Sequence, residues 1–355
     1  MVQLAYQDPA TWLELGQPDP ILEEIAQGAG KPQLEKRPDI SSVVATRAAW
    51  APVFKDFAEA AVARSNGSVT STDIDIPRRD GGSCRALLYK PEDGKDGGRP
   101  LVVFIHGGGF VYGLPEMEAG LAVAAVQEYQ CVALCLSYRL APEHKFPTAT
   151  DDCWDALKWI TQNAARLGVD LSKGFVLGGT SAGGSIVTAL SHLARDEKVY
   201  PPLTGLYLNV PLLLAPEAVR PEQQPLYRSR EQNAYAPVLN KAFMDMYTAA
   251  CDPDDLQNSY LWSPFNWPGG PGKAHAGLPP TYFQICGLDP LRDEALIYER
   301  VLRTEYKTPT RVDIYPGLPH MFVPNFPTHP SSKKYPKDAL RGIGWLLNKG
   351  EQDTV

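Results

Sequence analysis

Five short apolar runs constrain this chain more than any other feature. They are LVVFI at 101–105, CVALCLSY at 131–138, GFVLGG at 174–179, TGLYLNV at 204–210 and PTYFQIC at 280–286. All five read as strands, and in the first three the apolar residues run on instead of alternating with polar ones, which is the pattern of strands buried on both faces. Stretches with helical spacing lie between them. Residues 116–130 read as a helix, as do 148–165, where Trp154, Leu157 and Ile160 fall on one stripe. Residues 182–197 place Ile186, Leu190 and Leu193 on one face. Strands alternating with helices at this spacing call for a parallel sheet covered on both sides. Two earlier segments, VTSTDIDIP and CRALLYKP, add strands around an Asp80-Gly81-Gly82 turn. TRVDIY at 310–315 is a last strand, and 291–305 and 337–348 read as helices. Residues 50–63 also have helical spacing, with Pro52 expected in a first turn.

The 33 prolines are uneven. Residues 148–200 contain none, whereas 201–280 contain 13. Proline avoids helix interiors and central strands. A regular block is therefore expected to end near 200 and an irregular one to follow. With Lys plus Arg at 34 and Asp plus Glu at 41, the net charge is -7, which argues against nucleic acid as a partner. The start has no basic or apolar leader pattern, and the apolar runs are too short to span a bilayer. A cytoplasmic protein without a membrane span is the expectation. The six cysteines form no CxxC pair and sit mostly in apolar stretches, so they are expected to be structural free thiols.

Gly179-Thr180-Ser181-Ala182-Gly183 fits G-x-S-x-G, with a strand running in and an amphipathic helix running out. Such a reversal exposes Ser181 at the carboxyl edge of the sheet, beside the positive end of the helix. A serine hydroxyl is a weak nucleophile and needs a base. In this arrangement the partners follow in the order Ser, acid, His. Asp289 lies just past PTYFQIC, whereas Asp293 and Glu294 fall in the following helix. His320 follows the last strand directly, whereas His329 lies in a Pro-rich stretch expected at the surface. Ser181, His320 and Asp289 are therefore the catalytic candidates. His106-Gly107-Gly108-Gly109 follows a buried strand. Gly108 and Gly109, with Ala182, are the candidate oxyanion donors, and Gly107 shapes the turn. His106 is expected to make a structural hydrogen bond. Phe110 and Tyr112 are candidate substrate-pocket residues, with core packing the alternative. No dinucleotide fingerprint, P-loop or zinc spacing occurs, so no cofactor and no metal are expected.

HGGGF at 106–110, SYRLAPEHKFP at 137–147, GTSAGG at 179–184, GLDPLRDE at 287–294 and GLPHMF at 317–322 together resemble the hormone-sensitive-lipase-like esterases. The texture is similar to fungal members, including those of secondary metabolism. The resemblance implies an α/β-hydrolase fold: a mostly parallel eight-stranded sheet with helices on both faces and a helical cap. It implies carboxylester hydrolysis with the same triad and oxyanion loop. It divides the chain into an N-terminal cap segment at 1–65, core at 66–210, a cap insertion at 211–265 and core at 266–355. Thr180 departs from the family, where many members carry Asp, and Leu318, Pro319 and Met321 surround His320 where Gly is common. Arg139 and Glu143 in YRLAPE are expected to be structural. Trp12, Trp50, Trp262 and Trp267 are expected to pack the cap or line its cavity. The expected activity is hydrolysis of short-to-medium acyl esters of small molecules through an acyl-enzyme. The alternatives are a transacylase, a lactonase or lactone-forming enzyme, or a thioester-releasing hydrolase acting on a natural product. A ligand receptor on the same scaffold would be expected to have lost a triad member. The sequence leaves open whether the chain forms a homodimer.

Overall fold

The computed structural model describes residues 6–28, 39–93, 97–269 and 273–349. Eight strands form one sheet: β1 (Val69–Pro77), β2 (Ser83–Pro91), β3 (Leu101–Ile105), β4 (Val132–Leu136), β5 (Phe175–Thr180), β6 (Gly205–Asn209), β7 (Thr281–Leu288) and β8 (Thr310–Pro319). Their order is β1-β2-β4-β3-β5-β6-β7-β8. The hairpin strand β2 runs antiparallel to both of its neighbours, and every other pairing is parallel. The expected mostly parallel sheet is therefore present.

The longer helices among the described residues are α1 (Pro20–Gly28), α2 (Val43–Ala63), α3 (Ala119–Tyr129), α4 (Thr148–Gln162), α5 (Ala182–Asp196), α6 (Lys241–Cys251), α7 (Arg292–Thr304) and α8 (Pro330–Leu346). The apolar runs are explained by the layers these helices form. Along β3, Leu101, Val103 and Ile105 join a core with α4, α5 and α7. Val102 and Phe104 join a second core on the other face, with α2, α3 and α8. A strand with helices on both sides has no polar face, so period-two alternation disappears. The proline-free block 148–200 holds α4, β5 and α5, whereas 211–269 adds no strand to the sheet.

Several boundaries differ from expectation. Helix α2 begins at Val43, which puts Pro52 in its interior and not in its first turn. Trp50 and Val53 are exposed beside Pro52, so water can take the carbonyl that the missing N–H leaves free. Helix α8 begins at Pro330, seven residues before position 337, and carries Pro336 inside. Residues 116–130 split into a 3-10 turn at Pro115–Glu118 and then α3. The stretch 131–138 shortens to β4, and 148–165 to α4 followed by a short turn at Ala164–Leu167. No helix among the described residues is long and apolar enough to cross a membrane. The six cysteines are free and buried, and burial pushes their thiol pKa values up, to about 11 at Cys84 and about 12 at Cys131.

Candidate active site

The carboxyl ends of β5, β7 and β8 bring three of the sequence candidates together. Ser181 sits between β5 and α5 at φ 56°, ψ −116°, a conformation L-residues rarely adopt and one that stores strain. The surroundings force it. The Ser181 N–H donates to the Asn209 carbonyl at 2.8 Å, and the Ser181 carbonyl accepts from Gly184 at 2.9 Å and from Leu212 at 3.2 Å. A Cβ on Gly183 would lie inside the Ile105 carbonyl, and one on Gly179 inside that of Gly183. Strand and helix can approach this closely only where both positions lack side chains.

His320 follows β8, with Nε2 3.0 Å from Ser181 Oγ and Nδ1 2.7 Å from Asp289 Oδ2. Asp289 follows β7 and is 1% exposed; its other oxygen, Oδ1, accepts the Leu291 N–H at 2.9 Å. The hydrogen-bonded row thus runs from a nearly buried hydroxyl to a fixed carboxylate. The alternatives point elsewhere. Asp293 accepts from the N–H groups of Arg228 and Ser229, and Glu294 pairs with Arg230. His329 is buried, not solvated as expected: it caps α8 by accepting from Ser331 and lies 3.4 Å from Asp19.

The loop after β3 wraps beside Ser181. The N–H groups of Gly108, Gly109 and Ala182 donate to no described residue. Gly109 has φ 63°, and a Cβ there would overlap the Tyr247 ring of α6. Gly107 lies where a Cβ would meet the Thr180 carbonyl. His106 is structural, as expected. Burial lowers its pKa to about 4, so the neutral ring donates from Nδ1 to the Gly107 carbonyl at 2.8 Å and stacks on Tyr138. Arg139 is fixed on buried Asp152, and Arg47 of α2 bridges Glu143 to the Val111 carbonyl. Both YRLAPE charges therefore hold loops in place.

A cavity of about 560 Å³ opens over Ser181. Gly109, Phe110, Ala182, Met244, Tyr247 and Trp262 are among its walls. Phe110, a candidate pocket residue, is one of these walls. Tyr112 is not a wall residue; it packs edge-on against Tyr247 and tilted against Trp50, one layer behind. Of the four tryptophans considered, Trp262 lines the cavity, and Trp267 stacks on His192. Trp12 is buried, its indole N–H donating to the Tyr6 carbonyl.

Sequence reasoning missed Asn233, whose side chain donates to the Asp289 carbonyl at 2.9 Å and the Gly287 carbonyl at 3.3 Å. No local pattern marks it; it is one polar residue in a proline-rich stretch. Glu118 was also missed. It is buried beside Thr180, whose hydroxyl donates to it, and Asn209 donates in turn to the Thr180 oxygen at 3.3 Å. Burial raises the Glu118 pKa to about 7 from 4.5 despite the Thr180 bond. The folded protein therefore holds a proton that the unfolded chain releases above pH 4.5, and stability falls as pH rises through 7. Glu118→Gln removes that dependence. Urea unfolding is expected to show the variant gaining on the wild type between pH 5 and pH 8, by up to about 3 kcal/mol. A difference that stays flat across this range would contradict the account.

Comparison with known proteins bears on the family and the fold. A family described as alpha/beta hydrolase fold matches residues 102–324. An AB hydrolase superfamily protein of Schizosaccharomyces pombe is 38% identical over 341 residues, covering 94% of this chain and 96% of the relative. A versiconal hemiacetal acetate esterase of Dothistroma septosporum is 30% identical, covering 79% and 83%. The crystal structure of vibralactone cyclase superposes with a TM-score of 0.85 at 31% identity, over 96% of this chain and 97% of that one.

Proposed function

Because the chain belongs to the α/β-hydrolase fold family, in its hormone-sensitive-lipase-like branch, and is a carboxylic ester hydrolase, we propose that it works through an acyl-enzyme on Ser181. The observation that carries this is the row Ser181–His320–Asp289, at 3.0 and 2.7 Å, opening into the cavity. His320 Nε2 takes the hydroxyl proton as Ser181 Oγ attacks the ester carbonyl, and then returns it to the leaving alcohol. Asp289 holds the Nδ1–H tautomer and stabilises the imidazolium. The N–H groups of Gly108, Gly109 and Ala182 are the donors for the oxyanion, and their lack of acceptors among the described residues supports the assignment. Water then attacks the acyl-Ser181 with His320 as base. Residues 1–65 and 211–265 act as the cap. Supporting this, α6 in the second segment packs its Tyr247 ring on Gly109, and the Cys251 thiol donates to the Gly109 carbonyl at 3.7 Å. The cavity volume suits esters of short-to-medium acyl chains.

A shared intermediate gives a direct test. p-Nitrophenyl butyrate and phenyl butyrate, hydrolysed with methanol present, are expected to give the same ratio of butyrate to methyl butyrate, since both pass through one acyl-enzyme. Ratios that change with the leaving group would contradict it.

The likeness to vibralactone cyclase favours a second use of the same site, in which a hydroxyl captures the acyl group and gives a transfer product or lactone. A cavity that restricts water would allow this. Product analysis with ω-hydroxyacyl esters separates the two; if only the free hydroxy acid forms, the second use is excluded.

A further inference from the structure

One charged wall residue of the cavity has a donor that its structural role does not use. Arg230 lies in the segment between β6 and α6, and its side chain is only 14% exposed. It pairs with Glu294 of α7, which is fully buried. Nε lies 3.2 Å and Nη2 2.8 Å from Glu294 Oε2, and Nη2 also reaches the Leu214 carbonyl at 3.4 Å. Glu294 is fixed independently, since Oε1 accepts the Leu213 N–H at 2.7 Å and Oε2 the Tyr227 hydroxyl at 3.2 Å. Those contacts account for the pair as a tie between the two segments. They do not account for Nη1. Its partner is the Met244 thioether sulfur at 3.3 Å, a weak acceptor, and Met244 is itself a cavity wall. A guanidinium has two donors on this nitrogen, and here they meet no oxygen among the described residues. The other charged pair on the cavity lining, Lys241–Asp245, is well exposed and solvated. Arg230 is therefore a desolvated donor in a largely apolar chamber shared with Ser181.

We propose that Arg230 Nη1 is a specificity-determining donor that binds an oxygen acceptor on the substrate, away from the scissile ester. The charge balance selects the acceptor. Glu294 already neutralises Arg230, so a carboxylate in the same low-dielectric chamber would leave one net buried charge. A neutral oxygen leaves none. The substrate class is thus an ester carrying a ketone or similar neutral carbonyl on its acyl or alcohol part. A site built around such a donor discriminates against the analogue lacking the oxygen, because the donor then keeps only the weak Met244 sulfur as acceptor.

This rests on Ser181 as the acylated residue, and the test keeps the two separate. Ester pairs differing by one keto oxygen, placed in turn along the acyl chain and on the alcohol, are compared by kcat/KM within each enzyme. The ratio cancels any change in the folded fraction. In the wild type at least one position is expected to favour the keto ester by about tenfold or more. In R230M/E294Q, which removes both charges together, that ratio is expected to fall to within about threefold of unity. Carboxylate-bearing esters are expected to show no such preference in the wild type. Ratios near unity throughout the wild-type series, a preference that survives in the double variant, or a preference for the carboxylate over the ketone would each overturn the proposal. Failure of the Ser181 assignment appears differently: Ser181→Ala would then hydrolyse both members of each pair at the wild-type rate.

Discussion

Ser181→Ala is expected to lower kcat for p-nitrophenyl butyrate by roughly five to six orders of magnitude, with the unfolding midpoint within a few degrees of the wild type. The two halves of this expectation have separate physical causes. In the proposed acyl-enzyme route the hydroxyl oxygen is the atom that bonds to the acyl carbon, and it is the oxygen that stands against His320 Nε2. The remaining activity would come from binding and the oxyanion donors acting on water. Stability is spared because the turn is held through the backbone. The N–H of residue 181 still reaches the Asn209 carbonyl, and its own carbonyl still accepts from Gly184 and Leu212. Alanine has the same Cβ as serine and adds no strain at φ 56°. Progress curves over hours, with circular dichroism melting alongside, measure both halves. A loss of less than about a hundredfold would remove Ser181 from the chemistry.

Asp289→Asn is expected to lower kcat by about four orders of magnitude, or about 5.5 kcal/mol of transition-state stabilisation. The geometry explains why so small a change costs so much. Leu291 donates its N–H to Asp289 Oδ1, so an asparagine would turn its carbonyl oxygen to that donor. Its amide NH2 would then face His320 Nδ1. A donor facing Nδ1 makes that nitrogen an acceptor and drives the ring proton to Nε2. An Nε2–H imidazole cannot take the Ser181 proton. The ring stays in place while the tautomer is wrong. Nitrogen-15 shifts of the His320 ring, with steady-state rates, check the two parts. A variant with normal rates and an unchanged tautomer would contradict the assigned role of Asp289.

The parts of the molecule visible in the sequence are those where local chemistry fixes the backbone. The run LVVFI reads as a doubly buried strand because helices cover both faces of β3. The GTSAG turn is legible because Gly179 and Gly183 have no room for a Cβ. Asp289 and His320 could be placed because each follows a recognisable strand directly. Elements whose shape depends on distant packing were harder to read. Pro52 lies inside α2, where it suggested a first turn, and α8 starts at Pro330 and runs through Pro336, ahead of the expected start at 337. His329 is buried under the N-terminus of α8, although its neighbours Pro327 and Pro330 suggested a surface loop. Tyr112 lies one layer behind Tyr247, a relation set by α6, more than a hundred residues away. Asn233 and Arg230 come from an irregular stretch of the proline-rich segment, and Met244 meets Arg230 only through the packing of α6 beside it.

The central claim is that Ser181 carries the acyl group, and covalent trapping tests it most directly. Treating the wild-type protein with a fluorophosphonate ester and mapping the adduct by peptide mass spectrometry is expected to give one phosphonyl group per chain, on Ser181. Activity should fall in step with labelling, and Ser181→Ala should take up no label. An adduct on another residue, or esterase activity that persists once Ser181 is fully modified, would contradict the account.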